Sequence, residues 1–159
     1  MERFCVVEAG EGIDRAIRRE LERLGPGREA PVSPAHPALL VVSPEAARRG
    51  LPLPEACRTV LLPGDAGGLL EGVRAASAVS YGASPRDSLT ISSRAGGRLW
   101  AALQRELVTV DGQVVERQEF PLAPPPGGGD MPALAVAGAL LLLGVPPEAL
   151  GTGEGLPKL

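Results

Sequence analysis

Val79-Ser80-Tyr81-Gly82 opens the stretch, residues 78–150, around which the chain is organised. Farther along the same stretch come Phe120-Pro121-Leu122 and an apolar run over residues 131–143. The first segment has the pattern of a buried strand that ends in a turn. The last has the pattern of a helix that is apolar on every side, which is typical of a helix inside a core.

Ahead of this stretch, short apolar runs alternate with helical patterns. The predicted strands cover residues 3–8, 38–42, 58–62 and 78–81. The predicted helices between them cover residues 13–24, 45–49 and 67–76. Strands separated by helices predict a small parallel sheet with helices on its faces, joined by right-handed crossovers.

The pattern then changes to one that is typical of antiparallel strands. Residues 88–93 alternate with period two, Gly96-Gly97 predicts a turn, and Asp111-Gly112 is a hairpin signal. Residues 99–108 also carry leucines at helical spacing, so a helix is the alternative there. We predict a strand, because the hairpin signal joins this run directly to the next one at residues 113–115.

Residues 123–129 are too rich in Pro and Gly for the interior of a helix or strand. Asp130 is the expected N-cap of the apolar helix, whose residues 133–143 end at Gly144. The predicted fold class is therefore α/β. It consists of a small parallel sheet with flanking helices, P-loop- or Rossmann-like, followed by an antiparallel three-strand meander and a buried apolar helix.

Size and composition exclude several classes of protein. The length of 159 residues suits one domain over residues 1–150, with a frayed tail over 151–159. A net charge of −3 and only four aromatic residues argue against nucleic acid as a partner. The longest apolar run, 133–143, is shorter than the ~20 residues that cross a bilayer, and no leader pattern is visible. We expect a cytoplasmic protein without membrane insertion, in which Cys5 and Cys57 are buried reduced thiols.

A glycine turn follows the first predicted strand and precedes the first helix. Gly10 and Gly12 would let backbone N–H groups at the helix N-terminus hold a phosphate. The alternative is a tight turn in which Glu11 and Asp14 satisfy the helix dipole themselves.

Three further candidates stand at the ends of predicted parallel strands, where open α/β sheets bind ligands. They are Asp65, Tyr81 and Gly82, which with Gly10 and Gly12 form a candidate residual binding pocket. The single histidine, His36, has no partner at metal-ligand spacing. The sequence therefore predicts no metal site and no catalytic histidine.

The segment Val79-Ser80-Tyr81-Gly82, the predicted meander, Phe120-Pro121-Leu122 and the helix ending Leu142-Leu143-Gly144-Val145-Pro146 are similar, in order and spacing, to a known family. They resemble the last part of the central, ATP-binding domain of Mur ligases. Those enzymes join amino acids to a UDP-muramoyl precursor of peptidoglycan. The resemblance covers about half of the chain and implies a bacterial protein with the α/β fold of that domain.

The residues that carry the family's chemistry differ in this chain. The resemblance places Ile13 at the P-loop lysine and Asp14 at the Mg²⁺-binding threonine, while Asp65 keeps an acidic position. Residues 126–130 replace a Gly-Arg-His-Asn stretch, and the only lysine is Lys158 in the tail. A carboxylate ~4 Å from a phosphate charge costs about 4 kcal/mol near a protein surface. ATP binding in the family's manner is therefore expected to fail.

These departures predict a non-catalytic Mur-ligase-like domain with no catalytic residue, no cofactor and no metal. Its expected role is that of a binding or scaffold module with an unidentified protein partner, linked to cell-envelope or sporulation processes by the resemblance alone. The alternative is a small nucleotide- or sugar-phosphate-binding protein or enzyme that uses the atypical glycine turn.

Overall fold

The computed structural model of the protein describes residues 3–23, 36–95, 98–122 and 129–151. Its elements, in chain order, are β1 (Phe4–Val7), α1 (Ile13–Arg23), β2 (Leu39–Val42), α2 (Pro44–Arg49), β3 (Ala56–Pro63), a 3₁₀ helix (Gly64–Gly72), β4 (Arg74–Gly82), β5 (Leu89–Ala95), β6 (Arg98–Leu103), β7 (Leu107–Val108), β8 (Val114–Val115), β9 (Gln118–Leu122), α3 (Asp130–Leu142) and α4 (Pro147–Leu150).

Seven strands form one sheet in the order β1-β2-β3-β4-β5-β6-β9. The pairings from β1 to β5 are parallel, and the pairings of β5 with β6 and of β6 with β9 are antiparallel. β7 and β8 form a separate antiparallel hairpin. The protein is therefore a mixed α/β protein with a mostly parallel sheet, which confirms the fold class at this level.

The sheet is covered on both faces, and strand β2 shows it most clearly. Leu39 and Val41 pack with α1 and α3 on one face, and Leu40 and Val42 pack with α2 and the 3₁₀ helix on the other. All four side chains are buried. A strand that is buried on both sides needs a continuous apolar sequence, which is what β2 has.

Helix α3 contacts α1 and four of the strands, β2 to β5. Its residue Gly138 lies where an added Cβ would be 3.0 Å from Leu61 and 3.4 Å from Leu89, so the helix backbone approaches the sheet closely at this point. The carbonyl of Leu142 accepts a hydrogen bond of 2.9 Å from the Val110 N–H, which ties the end of α3 to the β7–β8 hairpin. None of the described helices is long and apolar enough to cross a membrane.

The helix predicted over residues 67–76 is wrong. The chain forms a 3₁₀ helix at Gly64–Gly72, and Arg74–Gly82 is a strand from its first residue. Glycine is a poor helix former, and this segment contains Gly67, Gly68 and Gly72 in addition to its first residue. Pairing of Arg74 with Ala56 in the neighbouring strand takes the remaining residues into the sheet.

The meander is correct in part. The run at residues 99–108 is extended, as predicted, with β6 in the large sheet and β7 in the hairpin. Its third strand was assigned to residues 113–115, which is wrong, because Val114–Val115 pairs only with β7 and the third strand of the sheet is β9. The chain leaves the sheet at Gln104, whose side-chain amide donates to the carbonyl of Asp87 at 2.7 Å.

Strands β1, β2 and β3 are adjacent in sequential order, with α1 on one face of the sheet and α2 on the other. The first connection passes through residues 24–35, which lie outside the described residues, so the right-handed crossover expected there stays a prediction. The predicted turn at Gly96-Gly97 lies outside the described residues, and so do residues 123–128 of the loop predicted at 123–129 and residues 152–159 of the tail predicted at 151–159.

A buried carboxylate joins the ends of two central strands. Asp87 is 4% exposed, and its Oδ2 accepts a hydrogen bond of 3.0 Å from the Ser84 N–H. A Cβ added at Gly64 would lie 1.7 Å from an oxygen of this carboxylate, and a Cβ added at Gly82 would lie 2.4 Å from one. Both glycines are thus needed because their missing side chains leave room for Asp87.

We predict that Gly64→Ala lowers the free energy of unfolding by about 2 kcal/mol, because the new methyl group displaces a buried, hydrogen-bonded carboxylate. Gly67→Ala is the matched control in the same 3₁₀ helix, since nothing lies within 4 Å of an added Cβ there. Urea unfolding measures both variants. Equal effects of the two substitutions would contradict the packing described, as would full additivity of Gly64→Ala with Asp87→Ala.

Candidate functional site

The turn between β1 and α1 is built around two glycines and one carboxylate. Gly10 and Gly12 have φ angles of 81° and 79°, values that favour glycine. They lead the chain so that the Glu8 carboxylate reaches the start of α1, where it accepts hydrogen bonds from the N–H groups of Ile13 at 2.8 Å and Asp14 at 3.1 Å. The first amides of α1 are therefore occupied by a side chain of the protein.

A second carboxylate links this turn to the next helix. Glu11 accepts hydrogen bonds from the Ala9 N–H at 3.0 Å and from the Glu45 N–H at 2.9 Å, one on each oxygen. Ser43 caps the same helix, α2, through the Ala46 N–H. Glu11 thus stabilises both its own turn and the N-terminus of α2, where a carboxylate is favourable.

The alternative in which Glu11 and Asp14 satisfy the helix dipole is correct in part. Asp14 lies in the first turn of α1, but Glu8 accepts the first N–H groups of that helix and Glu11 accepts one from α2. The Asp14 carboxylate also forms an exposed ion pair with Arg18, one turn along the helix, at 3.1 Å. Glu8 was missed because its reach across the turn depends on the conformation of Gly10 and Gly12.

An open cleft of about 690 Å³ lies at the carboxyl ends of the parallel strands. Three parts of the fold surround it: α2, the 3₁₀ helix and the first turn of α3. The residues that line it are Glu11, Pro44, Glu45, Ala47, Arg48, Pro63, Asp65, Ala66, Gly68, Leu69, Met131 and Pro132. Its position is the one at which open α/β sheets bind ligands.

The cleft carries an excess of negative charge. It contains the carboxylates of Glu11, Glu45 and Asp65 and a single guanidinium, that of Arg48, which gives a formal charge of −2. Glu45 and Arg48 form an ion pair at the rim, and the Arg48 guanidinium holds the pKa of Glu45 below its ordinary value. Asp65 is exposed and forms no hydrogen bond or ion pair with the described residues.

Tyr81 is buried near these carboxylates and does not line the cleft. Its hydroxyl donates a hydrogen bond of 2.7 Å to the carbonyl of Val42, which joins β4 to β2 through the core. Burial raises the pKa of the Tyr81 hydroxyl, and the nearby charges of Glu11 and Asp65 raise it further.

The five residues predicted to form a pocket thus divide into three groups. Asp65 lines the cleft, Gly10 and Gly12 shape the turn beside it, and Tyr81 and Gly82 are buried in positions that support the sheet. The sequence did not predict the apolar wall of the cleft, because that wall combines residues of α2 with residues at the start of α3. These two helices are far apart in the sequence. No sequence signal marks such a meeting of distant elements.

The described part of the chain contains no candidate metal site and no disulfide. No group of three or more His, Cys, Asp or Glu side chains there is arranged to hold a metal ion. Cys5 is partly buried and Cys57 is buried, and neither forms a disulfide. Burial, with a smaller effect of Cys5, raises the pKa of the Cys57 thiol to about 11, so the reactive thiolate is scarce at neutral pH.

No family model matches the chain, and no curated protein or solved structure shows significant similarity to it. The resemblance to the central domain of Mur ligases therefore rests on the motifs of the sequence alone. The arrangement of carboxylates and amides at the turn is independent of that resemblance.

We predict that Tyr81→Phe lowers the free energy of unfolding by about 1 kcal/mol at pH 8, because the hydrogen bond to the Val42 carbonyl is lost. The variant should also lose less stability than the wild type in alkaline solution. The folded-state pKa of Tyr81 lies above the unfolded value of about 10, so its contribution is full below pH ~10 and is lost as the pH rises further.

Urea unfolding of both proteins between about pH 8 and pH 11 measures this difference. Cys57 remains in both proteins, so its own alkaline titration cancels in the comparison. Parallel pH profiles for the wild type and Tyr81→Phe would contradict the environment described for the hydroxyl.

Proposed function

We propose that the protein is a non-catalytic binding module with a P-loop- or Rossmann-like arrangement around its first strand, related to the central domain of Mur ligases. The observation that carries the proposal is the Glu8 carboxylate, which accepts the N–H groups of Ile13 and Asp14. In a phosphate-binding turn, these are the donors that a phosphate would use. A helix start whose donors already hold a carboxylate repels a second anion.

The side chains after the turn support the same proposal. Ile13, at the position of the family's lysine, is 1% exposed and packs in the core with Ile17, so position 13 faces away from solvent. Asp14, at the position of the threonine, pairs with Arg18. Phosphoryl transfer needs a phosphate cradle, a metal-binding group and a cation. In this turn the Glu8 carboxylate occupies the amides of the cradle, and the buried, apolar Ile13 stands in place of the cation.

The alternative, a nucleotide- or sugar-phosphate-binding protein or enzyme, receives less support from the same turn. A phosphate would have to displace Glu8 and lie near Glu11 as well, at a cost of about 4 kcal/mol for each pair of like charges ~4 Å apart near a surface. Cytoplasmic location and a link to the cell envelope or sporulation belong to the proposal through the resemblance. A protein partner, rather than nucleic acid, fits the net charge of −3.

Titration of the protein with Mg-ATP, Mg-ADP and a UDP-sugar, followed by calorimetry and thermal unfolding, tests the proposal. We expect no saturable heat and no rise in the melting temperature. A molecule raises the melting temperature only if it binds the folded protein, and we expect none of these three to bind. Micromolar binding of Mg-ATP would overturn the proposal.

If Mg-ATP binds, Gly12→Trp identifies the site. Gly112→Trp is the matched control, since both glycines have positive φ angles, 79° and 90°, and open space around an added Cβ. Binding that is lost only in Gly12→Trp would place the nucleotide at the turn and favour the alternative function.

A further inference from the structure

The Glu11 carboxylate lines the acidic cleft and can accept further hydrogen bonds there. Glu11 is held in place by two backbone N–H groups, one on each oxygen. A carboxylate has about four lone-pair positions, so each oxygen can accept a further hydrogen bond. Glu11 therefore offers a fixed negative charge and free acceptor capacity at one wall of the cleft.

Asp65 supplies a second carboxylate from another wall. It belongs to the 3₁₀ helix that follows β3, and its side chain forms no hydrogen bond or ion pair with the described residues. Both Glu11 and Asp65 line the same cleft. Two carboxylate acceptors in one cleft favour a cation with several N–H donors.

The rest of the lining is apolar and suits an alkyl chain. Ala66 and Leu69 on the 3₁₀ helix face the cleft together with Met131 and Pro132 at the start of α3, and all four are partly exposed. Long cationic side chains bury their methylene groups along such surfaces and keep the charged end at a polar site. Met in addition adapts its shape to different ligands.

We infer that this cleft binds a lysine or arginine side chain of a partner polypeptide, with the cation between Glu11 and Asp65 and the alkyl stem against Leu69 and Met131. The inference deepens the proposed function and rests on it, because it names what the binding module recognises. The cleft volume of about 690 Å³ accommodates one such side chain with its flanking residues. The formal charge of −2 makes the same space unfavourable for phosphate-bearing ligands.

The test uses ¹H–¹⁵N spectra of the whole protein, titrated with the blocked tripeptides Ala-Lys-Ala and Ala-Arg-Ala. Blocked Ala-Gln-Ala and Ala-norleucine-Ala are the neutral controls, and free n-butylamine separates a peptide side chain from a simple amine. We expect saturable shifts at the amides of Glu11, Asp65 and Leu69 with the two cationic tripeptides only. The binding should weaken as the salt concentration rises, because both partners are exposed.

Asp65→Asn should weaken the binding of the lysine tripeptide by up to about fivefold, the upper end of the range for exposed ion pairs. Glu71→Gln is the matched control, since Glu71 is an exposed carboxylate on the same 3₁₀ helix that does not line the cleft. Both residues are exposed, so neither variant is expected to unfold. Equal weakening by the two variants would overturn the inference.

Equal binding of the norleucine and lysine tripeptides would also overturn it, and so would n-butylamine binding as tight as the lysine tripeptide. Failure of the inference is distinguishable from failure of the proposed function on the same sample. A protein that binds neither cationic tripeptide nor Mg-ATP overturns the inference and leaves the non-catalytic proposal standing, whereas Mg-ATP binding overturns that proposal separately.

Discussion

The backbone amides at the start of α1 need acceptors, and the protein supplies them from its own side chains. Glu8 accepts two of these N–H groups, and Glu11 accepts those of Ala9 and Glu45. The N–H groups of Ile13 and Asp14 belong to the electropositive end of α1, where an anion is favoured. In this chain the anion is built into the sequence, so the turn is complete without a ligand.

This constraint organises the end of the sheet around it. Because Glu11 bridges to the N-terminus of α2, the first two strand-to-helix connections are held together although their helices lie on opposite faces. The bridging carboxylate then stands at the edge of the cleft, with Asp65 on the 3₁₀ helix beyond it. The turn between β1 and α1 is thus part of an acidic surface. The chemistry of the cleft therefore follows from how the amides are satisfied.

The sequence predicted the sheet better than it predicted the site. The continuous apolar run of β2 was recognised because a strand covered on both faces cannot alternate with polar residues. The segment of the 3₁₀ helix was predicted as an ordinary helix over residues 67–76, although its glycines weaken such a helix. The hairpin at Asp111-Gly112 was recognised by its turn residues, but the sequence did not show that the chain leaves the large sheet before it.

The site itself depends on contacts that no local pattern encodes. Asp65 was singled out from its place after a strand, and that place proved to be at the cleft. Glu8 could not be recognised, because its acceptor role requires two positive φ angles in the following residues. Met131 joins the cleft only because α3 packs across the sheet. Periodicity and spacing describe elements, whereas a cleft is defined by how separate elements meet.

The most direct measurement of the central claim is the stability and amide exchange of Glu8→Ala, with the exposed Glu22→Ala in the last turn of the same helix as control. If Glu8 satisfies the start of α1, its removal lowers the free energy of unfolding by about 1–2 kcal/mol and speeds hydrogen exchange at Ile13 and Asp14. Inorganic phosphate should then slow this exchange in the variant but not in the wild type. Unchanged stability and unchanged exchange in Glu8→Ala would contradict the account.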